Sequence, residues 1–508
     1  MSEVDEVVAV VARYPGRTPV ELRDALRAQG RVSITSADVT AVLRAHPIRF
    51  STDQSVPARW WPSDGREVDP PAVTDLLPTL YPWQIAALDA WRHQHGRGVV
   101  EAVTGTGKTM VGMAAAAEEL ARGGQVCVLV PTAELLRQWR ESLARHLSPG
   151  TTIGLLGAGH HDPIGNDDVL IAVVNSARNA DLRPRRPGGL LVGDECHRYG
   201  TDMNREALEE GFGRRLGLSA TFERTDDGHL DWLRPYFGPT CFRMGYRRAI
   251  AEGVAARFVV ALVGVSFSRH ERAAYRELSL ELTRARAVLI ARFGVPDRPI
   301  GLFLRVVAKL ARLDDGSPAG AAARAYLSAM QDRRRLVAET PAKAAALDRL
   351  VPVLGASTRA IVFTQTIGGA ERAAAALRSA GLGAAAIHSG LERAGRLSVL
   401  ADFRDGGLQV VTAAQVLDEG VDVPAADLAV ILASSQSRRQ MIQRMGRVLR
   451  RKSDGRLARF VVVHVEGTVE DPALGAHEGF LDEVTGVADG VRCFSSGPDA
   501  EALNMFLA

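Results

Sequence analysis

The sequence predicts an α/β protein of two tandem parallel-sheet domains, with a small helical unit in front and a helical insertion between them. Three observations carry this. From Leu80 onward, short apolar runs alternate with amphipathic helical stretches, the pattern of a parallel sheet covered on both faces. Between Phe258 and Thr340 that alternation lapses and long helical segments take over, and a second alternating series starts at Ala360. Residues ahead of Trp61 hold instead three short helical patterns and two short β-type runs. The expected division is 1–62, 63–250, 251–340, 341–470 and a C-terminal tail 471–508.

The N-terminal unit is legible through its caps. Thr18-Pro19-Val20-Glu21 combines an N-cap, a first-turn proline and a capping-box glutamate, and Thr35 to Asp38 opens the next helix. Ile48 to Phe50 and Ala58 to Trp61 can pair as a hairpin. Three helices followed by a hairpin is the layout of a winged helix-turn-helix, and equally of a helical module that docks a protein partner. A proline-rich acidic joint, Pro62 to Pro71, separates it from the rest.

In the first series, strands are expected at Gly98 to Ala102, Val126 to Val130, Val169 to Val174, Leu190 to Val192 and Leu216 to Leu218. The first runs into Thr104-Gly105-Thr106-Gly107-Lys108-Thr109 and then an alanine-rich helix. Strand, glycine turn and helix start in succession make a phosphate cradle. The glycines let backbone N–H groups turn inward, the helix presents its positive end, Lys108 adds a point charge and Thr109 offers a hydroxyl to Mg²⁺. Ala102 stands where the strict pattern has its first glycine. A later apolar strand ends on Asp194 and Glu195, where an open α/β sheet puts its ligand-handling groups. Asp194 can hold Mg²⁺, and Glu195 can take a proton from an attacking water.

The helical stretch opens on a capping box, Ser268 to Glu271, and its Arg333-Arg334-Arg335 run reads as a solvated face. In the second series, strands are expected at Ala360 to Phe363, Ala384 to Ile387, Leu408 to Val411, Leu428 to Leu432 and Phe460 to Val465. It carries no glycine loop of its own. The segment after Asp471 reads as a loosely packed tail or a small cap.

Composition bounds the rest. With 62 Lys and Arg against 59 Asp and Glu, the net charge of +3 marks no overall nucleic-acid binder, so any such surface is local. Cys127, Cys196, Cys241 and Cys493 include no C-x-x-C pair, which argues against a disulfide scaffold or zinc ribbon. No apolar run reaches membrane-spanning length, and no basic-then-apolar pattern opens the chain. A soluble cytoplasmic protein without a membrane partner is expected.

The ordered set TGTGKT (Thr104 to Thr109), PTAELLRQW (Pro131 to Trp139), DECH (Asp194 to His197), SAT (Ser219 to Thr221), VFTQT (Val362 to Thr366), VVTAAQVLDEGVDVP (Val410 to Pro424) and QRMGRVLR (Gln443 to Arg450) resembles the motif series of superfamily 2 helicases. GLSATFERTDD and QRMGRVLR resemble its XPB-like branch and the motor subunits of restriction enzymes. The resemblance implies two RecA-like domains with ATP and Mg²⁺ in the cleft between them. It assigns Gln84 to the adenine, Thr104 to Lys108 to the phosphates, Thr109 and Asp194 to the metal and Glu195 to the water. Gln443, Arg447 and Arg450, three or four residues apart on one helix face, are implied to reach the γ-phosphate when the domains close. His197, Ser219 and Thr221 are implied to couple hydrolysis to a nucleic-acid face that includes Pro131, Thr132 and Thr412. The helical stretch stands in the place of that branch's thumb-like insertion. Of its Arg-Glu-Asp loop, Arg224-Thr225-Asp226 keeps only the ends. The expected activity is that of an ATP-dependent DNA helicase or duplex translocase, with an RNA helicase or a nucleotide-gated scaffold as alternatives.

Overall fold

The computed structural model describes residues 3–14, 17–28, 34–45, 50–52, 60–62, 79–148, 150–165, 167–185, 189–224, 228–313, 316–414, 426–432, 446, 455–476, 478–495 and 500–507. Two compact units result, residues 1–102 with 107–244, and residues 245–508 with 103–106.

The first unit begins with three helices, α1 (Glu3–Arg13), α2 (Pro19–Ala28) and α3 (Ser36–Ala45), and an antiparallel pair, β1 (Phe50–Thr52) with β2 (Trp60–Pro62). Val7, Val10, Leu22, Leu26, Val39 and Leu43 fill the small core between the helices. Both caps form as their residue types dictate. The Glu21 carboxylate accepts the Thr18 N–H at 2.8 Å, and Asp38 accepts the Thr35 N–H at 2.8 Å.

The rest of the unit is an eight-stranded sheet. Its strands are β3 (Arg97–Ala102), β4 (Gln125–Val130), β5 (Ile153–Gly157), β6 (His160–His161), β7 (Val169–Val173), β8 (Gly189–Asp194), β9 (Arg214–Ser219) and β10 (Thr240–Met244). They lie in the order β10-β3-β9-β8-β4-β7-β5-β6, parallel throughout except for the antiparallel β5–β6 edge. Helices α4 (Pro82–His93), α5 (Lys108–Ala121) and α6 (Ala133–His146), with the short α7 (Val174–Ala177) and α8 (Arg234–Phe237), connect them. Strands β4, β7, β8 and β9 are buried at every residue, as strands covered on both faces must be. The edge strands β5, β6 and β10 are additions to the expected set. They are glycine-rich, very short or half-exposed, and carry weak apolar patterns.

The second unit starts with α9 (Tyr246–Ala251) and β11 (Phe258–Val265). This strand lies where the helical stretch was expected to begin. Three helices follow, α10 (Arg269–Phe293), α11 (Ile300–Arg312) and α12 (Pro318–Glu339), with their own core of Leu282, Leu289, Phe303, Val307, Ala323 and Tyr326. Then come α13 (Pro341–Arg349), α14 (Val351–Ala356), β12 (Ala360–Thr364), α15 (Ile367–Ser379), β13 (Ala384–Ile387), α16 (Arg393–Asp405), β14 (Val410–Ala414), β15 (Leu428–Ile431), β16 (Ala458–Val465) and β17 (Gly490–Phe494). The sheet is wholly parallel, in the order β13-β14-β12-β15-β16-β11-β17.

The C-terminal segment, expected as a loosely packed tail or a small cap, is built into the second sheet. Its strand β17 closes one edge of the sheet, and the helix Ala500–Leu507 packs Leu503 and Leu507 into the main core of the unit. The helical insertion is fastened to the same sheet. The Tyr275 hydroxyl of α10 accepts the Val469 N–H at 2.9 Å, and Glu339, at the end of α12, accepts the Thr366 hydroxyl at 2.8 Å.

Candidate nucleotide site

Strand β3 ends at Ala102, and the chain turns through Gly105 (φ 85°) and Gly107 (φ 90°) before α5 begins at Lys108. Both angles lie in the left-handed region, which only glycine enters without strain. A Cβ at Gly107 would also stand 3.0 Å from the Gln84 amide nitrogen. That contact is a built one. Gln84 Nε2 donates to the Gly107 carbonyl at 3.0 Å, and its Oε1 accepts the Tyr81 N–H at 2.8 Å. The start of α4 is thereby tied to the glycine loop, and the amide retains one N–H and one lone pair for a base edge.

Within the loop, the Thr106 hydroxyl donates to the Val103 carbonyl at 2.8 Å, while Thr104 and Thr109 are half-buried. Lys108 is buried and its Nζ donates to the Ala102 carbonyl at 2.7 Å. Burial pulls its pKa down, and the carboxylates of Glu195 and Asp194 oppose that fall.

Those carboxylates stand at the end of β8. Asp194 Oδ1 accepts the Glu195 N–H at 3.0 Å, and Oδ2 accepts the indole N–H of Trp139 at 2.8 Å. Burial pushes the Asp194 carboxyl up to about 6, with the Glu195 charge adding to the rise. Trp139, Lys108 and the Glu195 N–H hold it back. Glu195 itself has a left-handed backbone (φ 48°, ψ 47°), which costs a residue with a Cβ about 1–2 kcal/mol. Such strain persists where the surroundings over-determine it. Here the Tyr199 hydroxyl, 2.6 Å from the Asp194 carbonyl and 2.8 Å from that of Leu129, fixes the strand end.

Glu195 Oε2 is buried and makes no hydrogen bond among the described residues. His197 Nδ1 is 3.4 Å away. The Ser219 hydroxyl lies 2.8 Å from the Thr221 carbonyl and forms a hydrogen bond with His197 Nδ1 at 3.0 Å. The end of β8 is thereby hydrogen-bonded to the end of β9. An oriented acceptor oxygen with open lone pairs, beside a buried lysine and a buried aspartate, fits a water, a phosphate chain and a divalent cation.

Sequence reasoning passed over Glu101 and Tyr199. The Glu101 carboxylate accepts the Phe222 N–H at 3.1 Å and lies 3.1 Å from Arg243 Nε, joining β3 to its neighbours on both sides. Its signal was an acid at the last turn of an apolar strand feeding a glycine loop.

The remaining candidates are dispersed. Pro131 is half-buried at the entrance of α6, where the Thr132 hydroxyl caps the helix by accepting the Leu135 N–H at 3.3 Å. Thr412 is a correction. It is 0% exposed inside the second sheet, and its hydroxyl donates to the Ala370 carbonyl at 2.8 Å, so it offers no group to a phosphate. Gln443, Arg447 and Arg450, like Thr225 and Asp226, lie outside the described residues.

Residues 77–224 match the family described as type III restriction enzyme, res subunit, and residues 342–452 match the helicase conserved C-terminal domain. A protein named DNA 3'-5' translocase XPB2, from Sulfurisphaera tokodaii, is 28% identical over 79% of this chain and 84% of its own length. The DNA 3'-5' helicase XPB of Kineococcus radiotolerans is 26% identical over 80% of this chain, which spans 63% of that protein. A solved structure of S. cerevisiae Dbp5 bound to RNA and ADP BeF3 shares the fold, with a TM-score of 0.53 at 14% identity over 84% of this chain and 92% of its own. No helix among the described residues is long and apolar enough to cross a membrane. Two helicase families are thus matched in tandem, and relatives named for XPB are alike over most of the chain, which supports a superfamily 2 helicase of XPB-like type.

Proposed function

We propose that the protein couples hydrolysis of ATP, taken up with Mg²⁺, to movement along DNA as a helicase or duplex translocase. One observation carries the reading. A glycine loop with a buried lysine, a buried aspartate and a glutamate oxygen that makes no hydrogen bond among the described residues meet at one end of a sheet, and a His197–Ser219 hydrogen bond leads away from them. Lys108 and the loop N–H groups from Thr104 onward hold the β- and γ-phosphates, and Gln84 meets the adenine. Thr109 and Asp194 hold the Mg²⁺, which supplies neutralising charge at the phosphate oxygens. Glu195 Oε2 orients the water and receives its proton. Arg447 and Arg450 would supply positive charge, and the Gln443 amide a neutral N–H donor, at the γ-phosphate.

His197, Ser219 and Thr221 then link the hydrolysis state to the groups that meet the nucleic acid, among them the entrance of α6 at Pro131 and Thr132. Contacts of that kind read the backbone, so little sequence preference is expected. DNA is favoured over RNA because the relatives alike over most of this chain are named DNA translocase and DNA helicase.

ATP turnover should be measured with single-stranded DNA, duplex DNA and RNA of equal length at one salt concentration, since backbone binding is salt-sensitive. Strong stimulation by DNA, lost in Lys108→Ala and Glu195→Gln, is the expected result. A rate indifferent to every nucleic acid sinks the motor reading, and preferential stimulation by RNA makes the protein an RNA helicase.

A further inference from the structure

Trp139 lies seven residues beyond Thr132, two turns along α6 and near the same face as the helix entrance. Its indole is 1% exposed, and the ring N–H ends on Asp194 Oδ2 at 2.8 Å while Oδ1 is held by the Glu195 N–H at 3.0 Å. Both oxygens being bound, the carboxylate plane cannot rotate freely. Space for the ring is provided by the helix that starts at the phosphate loop. A Cβ at Gly112 would stand 2.7 Å from Trp139 Cη2, and 3.1 Å and 3.3 Å from Leu218 and Val192 methyls. Glycine weakens a helix interior relative to alanine, so a glycine amid the alanines of α5 marks a place where a side chain has to pass.

We propose that Trp139 is a positioning residue for the divalent cation: its indole N–H sets the orientation of the Asp194 carboxylate and ties α6 to it. The inference rests on the reading of Asp194 as a metal ligand. Its mechanical content is that any displacement of α6 at its Pro131-Thr132 entrance is carried to the carboxylate by one hydrogen bond. A ring that served only to fill space would need no N–H.

The test is binding of Mn²⁺ to the full chain with saturating ADP, followed by electron paramagnetic resonance, alongside ADP affinity in EDTA. Wild type is compared with Trp139→Phe, Gly112→Ala, Asp194→Asn and a protein carrying benzothienylalanine at position 139, which replaces the indole N–H by sulfur at nearly constant shape. Thermal melting verifies that each is folded. Loss of a group that orients a metal ligand weakens metal binding about ten- to a hundredfold. That loss is expected for Trp139→Phe and for the sulfur analogue, with a loss in the same direction for Gly112→Ala. ADP affinity in EDTA should change by less than about twofold, since the metal-free nucleotide does not use the carboxylate. If the sulfur analogue binds Mn²⁺ like wild type while Asp194→Asn does not, the N–H has no such role and the inference is overturned. If Asp194→Asn also binds Mn²⁺ like wild type, the reading of Asp194 as a ligand is what fails, and the inference falls with it.

Discussion

Each unit of the molecule buries a lysine, and the two are solved in opposite ways. Lys343, at the start of α13 and 2% exposed, meets the Glu470 carboxylate at 2.6 Å. One positive charge faces one negative charge, and the pair is closed. Lys108, 9% exposed, donates to a backbone carbonyl and shares its surroundings with two carboxylates, Asp194 and Glu195. The local sum there is negative, one acid oxygen makes no hydrogen bond among the described residues, and one backbone residue is strained. A matched buried pair needs nothing from outside, whereas an acid-rich pocket with a glycine loop is completed by a cation and an anion together. On the proposed function, the difference separates a structural use of burial from a chemical one in two sheets of similar build.

The largest effect expected from breaking the contrast is on turnover. Glu195→Gln should lower ATP hydrolysis by about 10²–10⁴-fold while leaving nucleotide binding intact, as read by a steady-state assay beside a binding titration. Lys108→Ala should remove both. On the other side, Lys343→Met should act on stability, by about 3–5 kcal/mol in a denaturant melt, because Glu470 is left buried and uncompensated. Hydrolysis per folded molecule should survive. The double substitution Lys343→Met with Glu470→Leu should restore that stability or exceed wild type, since a closed pair exchanges for apolar packing at little cost. Loss of turnover in Lys343→Met at full stability would erase the distinction.

A smaller effect concerns Asp194. Its carboxyl is raised from the ordinary 3.8 to about 6 in the folded protein, so folding favours the protonated form. Stability present below pH 4 is then lost as pH rises toward 6, and stays lost above it. Asp194→Asn removes the penalty. The nucleotide-free variant should melt above wild type at pH 7.5, by about 1–3 kcal/mol, and converge with it near pH 4. A variant that melts lower at neutral pH would show that the Asp194 charge stabilises the fold.

Much of the contrast was legible in residues alone, and the reasons are local. The glycine loop and the acids after β8 announce themselves because strand, turn and helix start follow one another within about ten residues. The caps of α2 and α3 are equally local, being set by side chains three residues apart. What escaped notice was distant. Strand β11 is an apolar, β-branched run, but its partners β16 and β17 come some two hundred residues later, and the helices beside it dominated the reading. Strand β17 exposes Arg492 and Cys493, and only its place on the edge of the sheet explains why a half-polar segment is ordered there.

At the site the same division holds. Residue type and spacing determined that Lys108, Thr109, Asp194 and Glu195 stand at strand ends, since a parallel sheet delivers its carboxyl ends to one side. Only the tertiary structure decided what those residues touch. It turned Gln84 onto Gly107, aimed the indole of Trp139 at Asp194, set His197 against Ser219 and sank Thr412 into a core. Each of these is a hydrogen bond across more than twenty residues of chain, and its direction depends on packing angles that no local pattern encodes.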